Sequence, residues 1–352
     1  MTVDLDDVRT VRDQDPGDML GAVAALGAHL REGYSNGAEA NVLPDLADVR
    51  SVVFCGMGGS AVAGDVLRAV FRDRLGVPVE VNRSPELPEH AGPHSLVIAS
   101  SYSGNTSETL AAFREATKRG CRAIVVSSGG TIVDEAGEAG VPVVRVPIGF
   151  QPRAALGWLA STVLGALEAA GLLPPLAEDV AEAAGEADAR AASCGPDTPG
   201  GENPAKRLAD EIGDRIPVIW GAEGVGAVAA ARWKTQYNEN GKVPAWWASM
   251  SELDHNEVVG WTEPFGRAHS VIALRHEAED PEIAARFPLS LQIAADAGAD
   301  THEVWATGRG SLARLVSLIA LGDFASVYLA IRRGVDPTPV VVIERLKAAL
   351  VS

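Results

Sequence analysis

The chain has 352 residues, 47% of them hydrophobic and 22% charged, with Lys+Arg 30 against Asp+Glu 47 and a formal net charge of -17. That length suits two domains of ordinary size, and that acidity argues against nucleic acid or an anionic membrane as a partner. Cys55, Cys121 and Cys194 are too few and too scattered for a disulfide framework or a zinc site, which fits a reducing, cytoplasmic setting.

Residues 1–16 are charged and are expected to form an exposed arm; they lack the basic flank and apolar core of a signal peptide. Met19 to Leu30 has the small-apolar character of a helix, with His29 expected at its surface or boundary. From Val52 a regular strand–helix rhythm begins, with strands expected near 51–55, 78–82, 95–100, 122–127 and 142–146, the signature of a parallel, doubly wound α/β sheet. Cys55 reads as a small buried packing residue, and His90 and His94 as loop residues. Gln151-Pro152-Arg153 opens an Ala/Leu-rich helix, Pro174-Pro175 breaks the chain, and 176–193 is an acidic helix followed by a Gly/Pro loop to Gly201. These shifts predict a domain over 1–150, a helical linker over 151–202 and a second domain over 203–352.

The second half repeats the first. Pro217 to Gly226 is again a strand, a glycine-rich turn and the start of an alanine-rich helix. Aligning Gly56 with Gly221 sets Glu223 against Gly58 and Val225 against Ser60, so an acidic turn replaces one suited to an anion. Leu312 to Ile331 is interrupted by Arg314 and Asp323 and reads as a buried helix, not a membrane span. In the terminal helix, Ile343, Leu346 and Leu350 share one stripe with Lys347 beside it, which aims the lysine along the buried side unless it snorkels to the rim. His269, His276 and His302 have no motif around them and read as structural or exposed.

Two stretches carry the chemistry. Ser101-Tyr102-Ser103-Gly104-Asn105-Thr106 sets the hydroxyls of Ser101, Ser103 and Thr106 around a glycine, between an apolar strand and a helix. A helix N-terminus offers unpaired N–H groups and a positive dipole end, so such a turn can hold a phosphate without a lysine. Simple capping by Thr106 or Ser107 is the plainer alternative, but capping needs one hydroxyl. Gly56-Met57-Gly58-Gly59-Ser60 is a second turn of the same kind. It matches the dinucleotide fingerprint only in part, with Ala61 at the last glycine, and it lacks a P-loop lysine. Both turns are expected at the carboxyl ends of neighbouring parallel strands, where open sheets bind ligands.

Gly58-Gly59-Ser60 followed by Ser101-x-Ser103-Gly104-x-Thr106 resembles a sugar isomerase (SIS) domain, a flavodoxin-like fold that binds phosphosugars. With Gln151-Pro152-Arg153, Asn238-Glu239-Asn240, Glu252 to Glu257 and Lys347 in the same order, the chain resembles the bifunctional phosphoglucose/phosphomannose isomerases, two SIS domains in one chain. The resemblance implies an aldose–ketose isomerase without metal or redox cofactor, acting on a small phosphosugar as a homodimer. It assigns Gly58, Gly59, Ser60, Ser101, Ser103 and Thr106 to the substrate and its phosphate, and Glu239 to proton transfer between C2 and C1. It gives His255, arriving from the partner subunit, ring opening; Arg153 charge on the enediolate; and Lys347 a place near the ring oxygen.

The residues themselves are compatible with these roles. Glu239 falls in the last turn of a helix expected to end at Gly241, where the dipole disfavours a plain surface carboxylate. His255 is of a residue type suited to proton transfer; a metal site with Asp254 and Glu257 would want a second histidine at ligand spacing. A non-catalytic phosphosugar sensor is the alternative function, and it would need the phosphate turn alone.

Overall fold

The computed structural model describes residues 2–40 and 43–351. Its first sheet holds β1 (Ser51–Cys55), β2 (Val79–Asn82), β3 (Ser95–Ser100), β4 (Arg122–Ser127) and β5 (Val143–Arg145), all parallel, in the order β2-β1-β3-β4-β5. The second holds β6 (Ile216–Ala222), β7 (Trp246–Met250), β8 (His269–Arg275) and β9 (Asp300–Trp305), also parallel, in the order β7-β6-β8-β9. Counted from its own first strand, the second sheet repeats the order of the first with the last strand left out. This is the flavodoxin-like winding expected from the sequence, present twice.

The apolar runs become strands because both faces are covered. Val52, Val53 and Phe54 of β1 and Leu96 and Val97 of β3 are fully buried, with Phe54 in register with Ile98. On one face Ala99 and Val125 meet Leu110, Phe113 and Ile132. On the other the helix Gly58–Leu75 comes close enough that a Cβ on Gly64 would lie 2.6 Å from the Phe54 ring. Each such apolar side chain contributes about 1.5–3 kcal/mol by leaving water.

The chain divides into two compact units. One comprises 25–188 with 307–317 and is built on the first sheet; the other comprises 1–24, 189–306 and 318–352 and is built on the second. The helix Leu156–Ala169, placed by the sequence in a linker, thus groups with the first sheet. It lies backbone to backbone against Leu26–Ala38: a Cβ on Gly37 would stand 2.1 Å from the Thr162 carbonyl, and one on Gly165 2.3 Å from that of Tyr34.

Other local expectations are corrected. Residues 1–16 are not wholly an exposed arm: Leu5 and Val11 are buried, Val8–Gln14 is helical, and Asp15 accepts from the backbone N–H groups of Met19 and Leu20 at 2.9 and 2.8 Å. The segment expected as one helix over 19–30 breaks into Met19–Ala24 and Leu26–Ala38. His29 is buried rather than at the boundary, its ring 4.7 Å from that of Phe150. The helix Ser311–Arg332 is apolar enough by length and composition to cross a membrane, but 94% of its most apolar window is buried inside the fold.

Burial holds the His29 imidazole below its ordinary 6.5, and it does the same for His302. Both therefore resist protonation in the fold more than in the unfolded chain. Their contribution to stability is complete above about pH 6.5 and is lost as the pH falls toward the depressed values. Each group can contribute at most about 1.4 kcal/mol per pH unit. Asp15 and Asp65, raised by burial, act oppositely at lower pH, from their ordinary 3.8 upward. The melting temperature should thus drop between pH 7 and pH 5.5, and His29→Gln should flatten that slope; an unchanged slope would clear His29 of the effect.

Candidate active site

The two turns lie side by side at the carboxyl ends of β1 and β3, where the strand order switches direction. Gly58 has a φ of +53°, which favours glycine, and the helix Gly58–Leu75 starts there. Ser60, in its first turn, is buried, and its hydroxyl accepts from the Tyr102 N–H at 3.2 Å, which ties one turn to the other. In the second turn the Ser101 hydroxyl donates to that of Thr106 at 3.1 Å and accepts from the Gly104 N–H at 3.1 Å. The Ser103 side chain is exposed at the rim. Thr106 holds the N-cap position of the helix Ser107–Lys118 with extended backbone, yet its side chain makes no capping bond. Capping therefore does not account for its hydroxyl, which faces Ser101 instead.

Gly104 sits where no other residue fits. Its φ is +69°, and a Cβ would fall 1.7 Å from the Gly129 carbonyl oxygen in the turn after β4. Asn105 secures the same neighbour, its side-chain oxygen accepting from the N–H and hydroxyl of Thr131, both at 3.0 Å.

Arg153 belongs to the same compact unit. It lies in a single 3₁₀ turn, Pro152–Ala154, is 2% exposed, and donates to the Gln151 side-chain oxygen at 3.4 Å. A Cβ on Gly59 would stand 3.0 Å from the Pro152 carbonyl, so that glycine lets the first turn and the Gln-Pro-Arg turn touch. A buried guanidinium on a turn whose backbone packs against the first glycine turn is of a type that can neutralise negative charge on a bound ligand.

The remaining site residues fall in the unit of the second sheet. The helix Val225–Glu239 ends on Glu239, with Asn240 rather than Gly241 as its C-cap. Glu239 is half-buried between two fixed asparagines: Asn238 donates to the Val243 carbonyl at 2.8 Å, and the fully buried Asn240 donates to the Ser326 hydroxyl at 3.0 Å. Lys242 donates to the Glu239 carbonyl and, at 2.9 Å, to that of Pro337, a cation suited to this helix end. The helix is anchored by the buried pair Arg232–Asp323, 2.9 Å apart, and by Trp233 donating to the Leu318 carbonyl at 2.8 Å.

His255 is exposed at the end of a short 3₁₀ turn, Glu252–His255, whose flanks are firmly held. Leu253 is buried; Asp254 accepts from the Ser290 hydroxyl at 2.7 Å and pairs with Arg286 at 3.3 Å; Glu257 accepts from the indole N–H groups of Trp220 and Trp261 at 2.9 and 3.3 Å. Both carboxylates are thus committed to holding the segment. Among the described residues no group of three His, Cys, Asp or Glu could hold a metal ion.

Lys347 departs from expectation. Residues 341–349 of the terminal helix Val341–Val351 are all exposed, including Ile343 at 40% and Leu346 at 61%; the Leu350 side chain lies outside the described residues. The apolar stripe exists, but its described residues stand open to solvent, so Lys347 is not aimed along a buried side. In the repeat of the first turn, Glu223 accepts from the Ser249 hydroxyl at 2.6 Å, which confirms an acidic turn after β6.

Residues 45–138 match the SIS domain family, and 201–350 match the family described as the bacterial phospho-glucose isomerase C-terminal SIS domain. The chain is 36% identical to a bifunctional phosphoglucose/phosphomannose isomerase of Caldicellulosiruptor bescii, over 94% of this chain and 98% of that one. It is 35% identical to one of Aquifex aeolicus, over 91% and 96%. Among solved structures, a hypothetical protein from Thermus thermophilus shares the fold with a TM-score of 0.73 at 21% identity, over 97% of this chain and 93% of that one. The chain belongs to the bifunctional phosphoglucose/phosphomannose isomerase family.

Proposed function

We propose that this protein interconverts glucose 6-phosphate, and mannose 6-phosphate, with fructose 6-phosphate through a cis-enediol. The observation that carries the reading is the bond between the Ser60 hydroxyl and the Tyr102 N–H, which joins two anion-type turns into one cradle at the sheet's switch point. Ser60, Ser101, Ser103 and Thr106, with the backbone at Gly58 and Gly59, hold the phosphate. Glu239 takes the proton from C2 of the open aldose and returns it to C1. The C1 aldehyde becomes an alcohol as the C2 alcohol becomes a ketone, so no electrons leave the sugar. The Arg153 guanidinium, planar and permanently charged, balances the enediolate oxygens as charge builds there. His255, from a partner copy in a homodimer, passes a proton to the ring oxygen during ring opening, and Lys347 lies near that oxygen. We assign phosphate binding to the unit built on the first sheet and proton transfer to the unit built on the second, and free cysteines suit a reducing cytoplasm.

The test is exchange of the C2 hydrogen. Glucose 6-phosphate incubated with the protein in deuterated water should gain deuterium at C2 while fructose 6-phosphate forms. A protein that binds hexose 6-phosphates yet exchanges none of them is a phosphosugar sensor instead.

A further inference from the structure

Tyr102 sits in the middle of the phosphate turn with its side chain turned inward, 7% exposed. Its backbone is fixed on both sides. The N–H donates to the Ser60 hydroxyl at 3.2 Å, and the carbonyl accepts from the Ser128 N–H and hydroxyl at 3.1 and 2.6 Å. The phenol reaches the segment after β5: its O–H donates to the Pro147 carbonyl at 3.0 Å and accepts from the Phe150 N–H at 2.9 Å. One residue therefore joins the turns that follow β1, β3, β4 and β5.

The segment it grips needs a grip. Residues 147–149 are exposed, Ile148 at 78%, and Gly149 has a φ of +104°, so little apolar burial fixes them. Directly after Phe150 come Gln151, Pro152 and Arg153, the turn that carries the guanidinium. Only a hydroxyl that donates and accepts at once can close the 147–150 turn in this way, and a phenylalanine ring of the same shape could not. Burial pushes the phenol above its ordinary 10.0, so the donor is intact throughout the neutral range.

We propose that Tyr102 is a positioning residue: its hydroxyl ties the 147–153 segment, and with it the Arg153 guanidinium, to the turn that holds the substrate phosphate. The inference rests on the role given above to Arg153. It makes the tyrosine hydroxyl matter for turnover and not for phosphate affinity, because the cradle's own bonds run through the Tyr102 backbone and survive its loss.

Tyr102→Phe tests this, with Tyr34→Phe as a control that also removes a tyrosine hydroxyl bond, 2.6 Å from Glu168. In Tyr102→Phe, kcat should fall by about 10–100-fold, as a guanidinium misplaced by an ångström would cost, while the inhibition constant of inorganic phosphate stays within about twofold of wild type. Amide hydrogen exchange at Phe150 should quicken. Tyr34→Phe should keep wild-type kcat. Unchanged turnover in Tyr102→Phe, weakened phosphate binding in step with turnover, or unaltered exchange at 147–153 would each overturn the proposal. If the wild-type protein exchanges no C2 hydrogen, the isomerase reading fails by itself, and amide exchange in the same variant decides the tether.

Discussion

Glu239→Gln should lower turnover of glucose 6-phosphate by about 10²–10⁴-fold, the usual worth of a positioned general base, and leave KM close to wild type. Glutamine keeps the shape and loses the basic oxygen. The helix end that carries the side chain should stay in place, because Asn238 and Asn240 hold it through Val243 and Ser326, and Lys242 donates to the carbonyl of residue 239 itself. The loss should therefore appear in kcat and in deuterium uptake at C2, with the melting temperature little changed. Near-normal exchange in Glu239→Gln would assign the base elsewhere.

Gly104→Ala should be the most damaging single methyl in the proposed phosphate cradle. Its Cβ would stand 1.7 Å from the Gly129 carbonyl, backbone against backbone, where no flexible side-chain end can swing aside. Gly120 provides the control, since its φ is also +69° but a Cβ there would meet nothing within 4 Å. Gly120→Ala should cost only the left-handed backbone penalty, about 1–2 kcal/mol, and leave phosphate binding intact. Gly104→Ala adds displacement of the turn after β4 and should cost more than about 3 kcal/mol, abolishing inhibition by inorganic phosphate in whatever protein still folds. Equal melting temperatures for the two variants would mean that the turns yield easily, against the rigid cradle described above.

The strands β1, β3 and β4 can be read from sequence nearly residue by residue, since each is an apolar run buried on both faces and bounded by turn residues, whereas the edge strands β2 and β5 are only partly buried. Both anion-type turns are legible too, because glycines next to hydroxyls between a strand and a helix are a local signal with a local cause. What escapes is decided by partners distant in sequence. His29 looks like one polar residue in a small-apolar helix, and it is Phe150 and Trp158, from far along the chain, that pack against its ring. Leu5 and Val11 stand among charged residues with no clear apolar period, yet both are buried. Periodicity finds the stripe beside Lys347 correctly, but a stripe does not say whether its own chain will cover it. Tyr102 is hidden by its neighbours: flanked by serines, it looks like a spacer, and its hydroxyl bonds span 45 and 48 residues of sequence.

In the proposed function, the cradle meets a dianion with hydroxyls and backbone amides, on a chain whose formal charge is -17. Fixed dipoles act over a few ångströms, well inside the screening length of about 8 Å at physiological ionic strength. Added salt would thus weaken the protein's long-range repulsion of its substrate more than it weakens the grip at the site, and capture should quicken, not slow, as the medium becomes more saline.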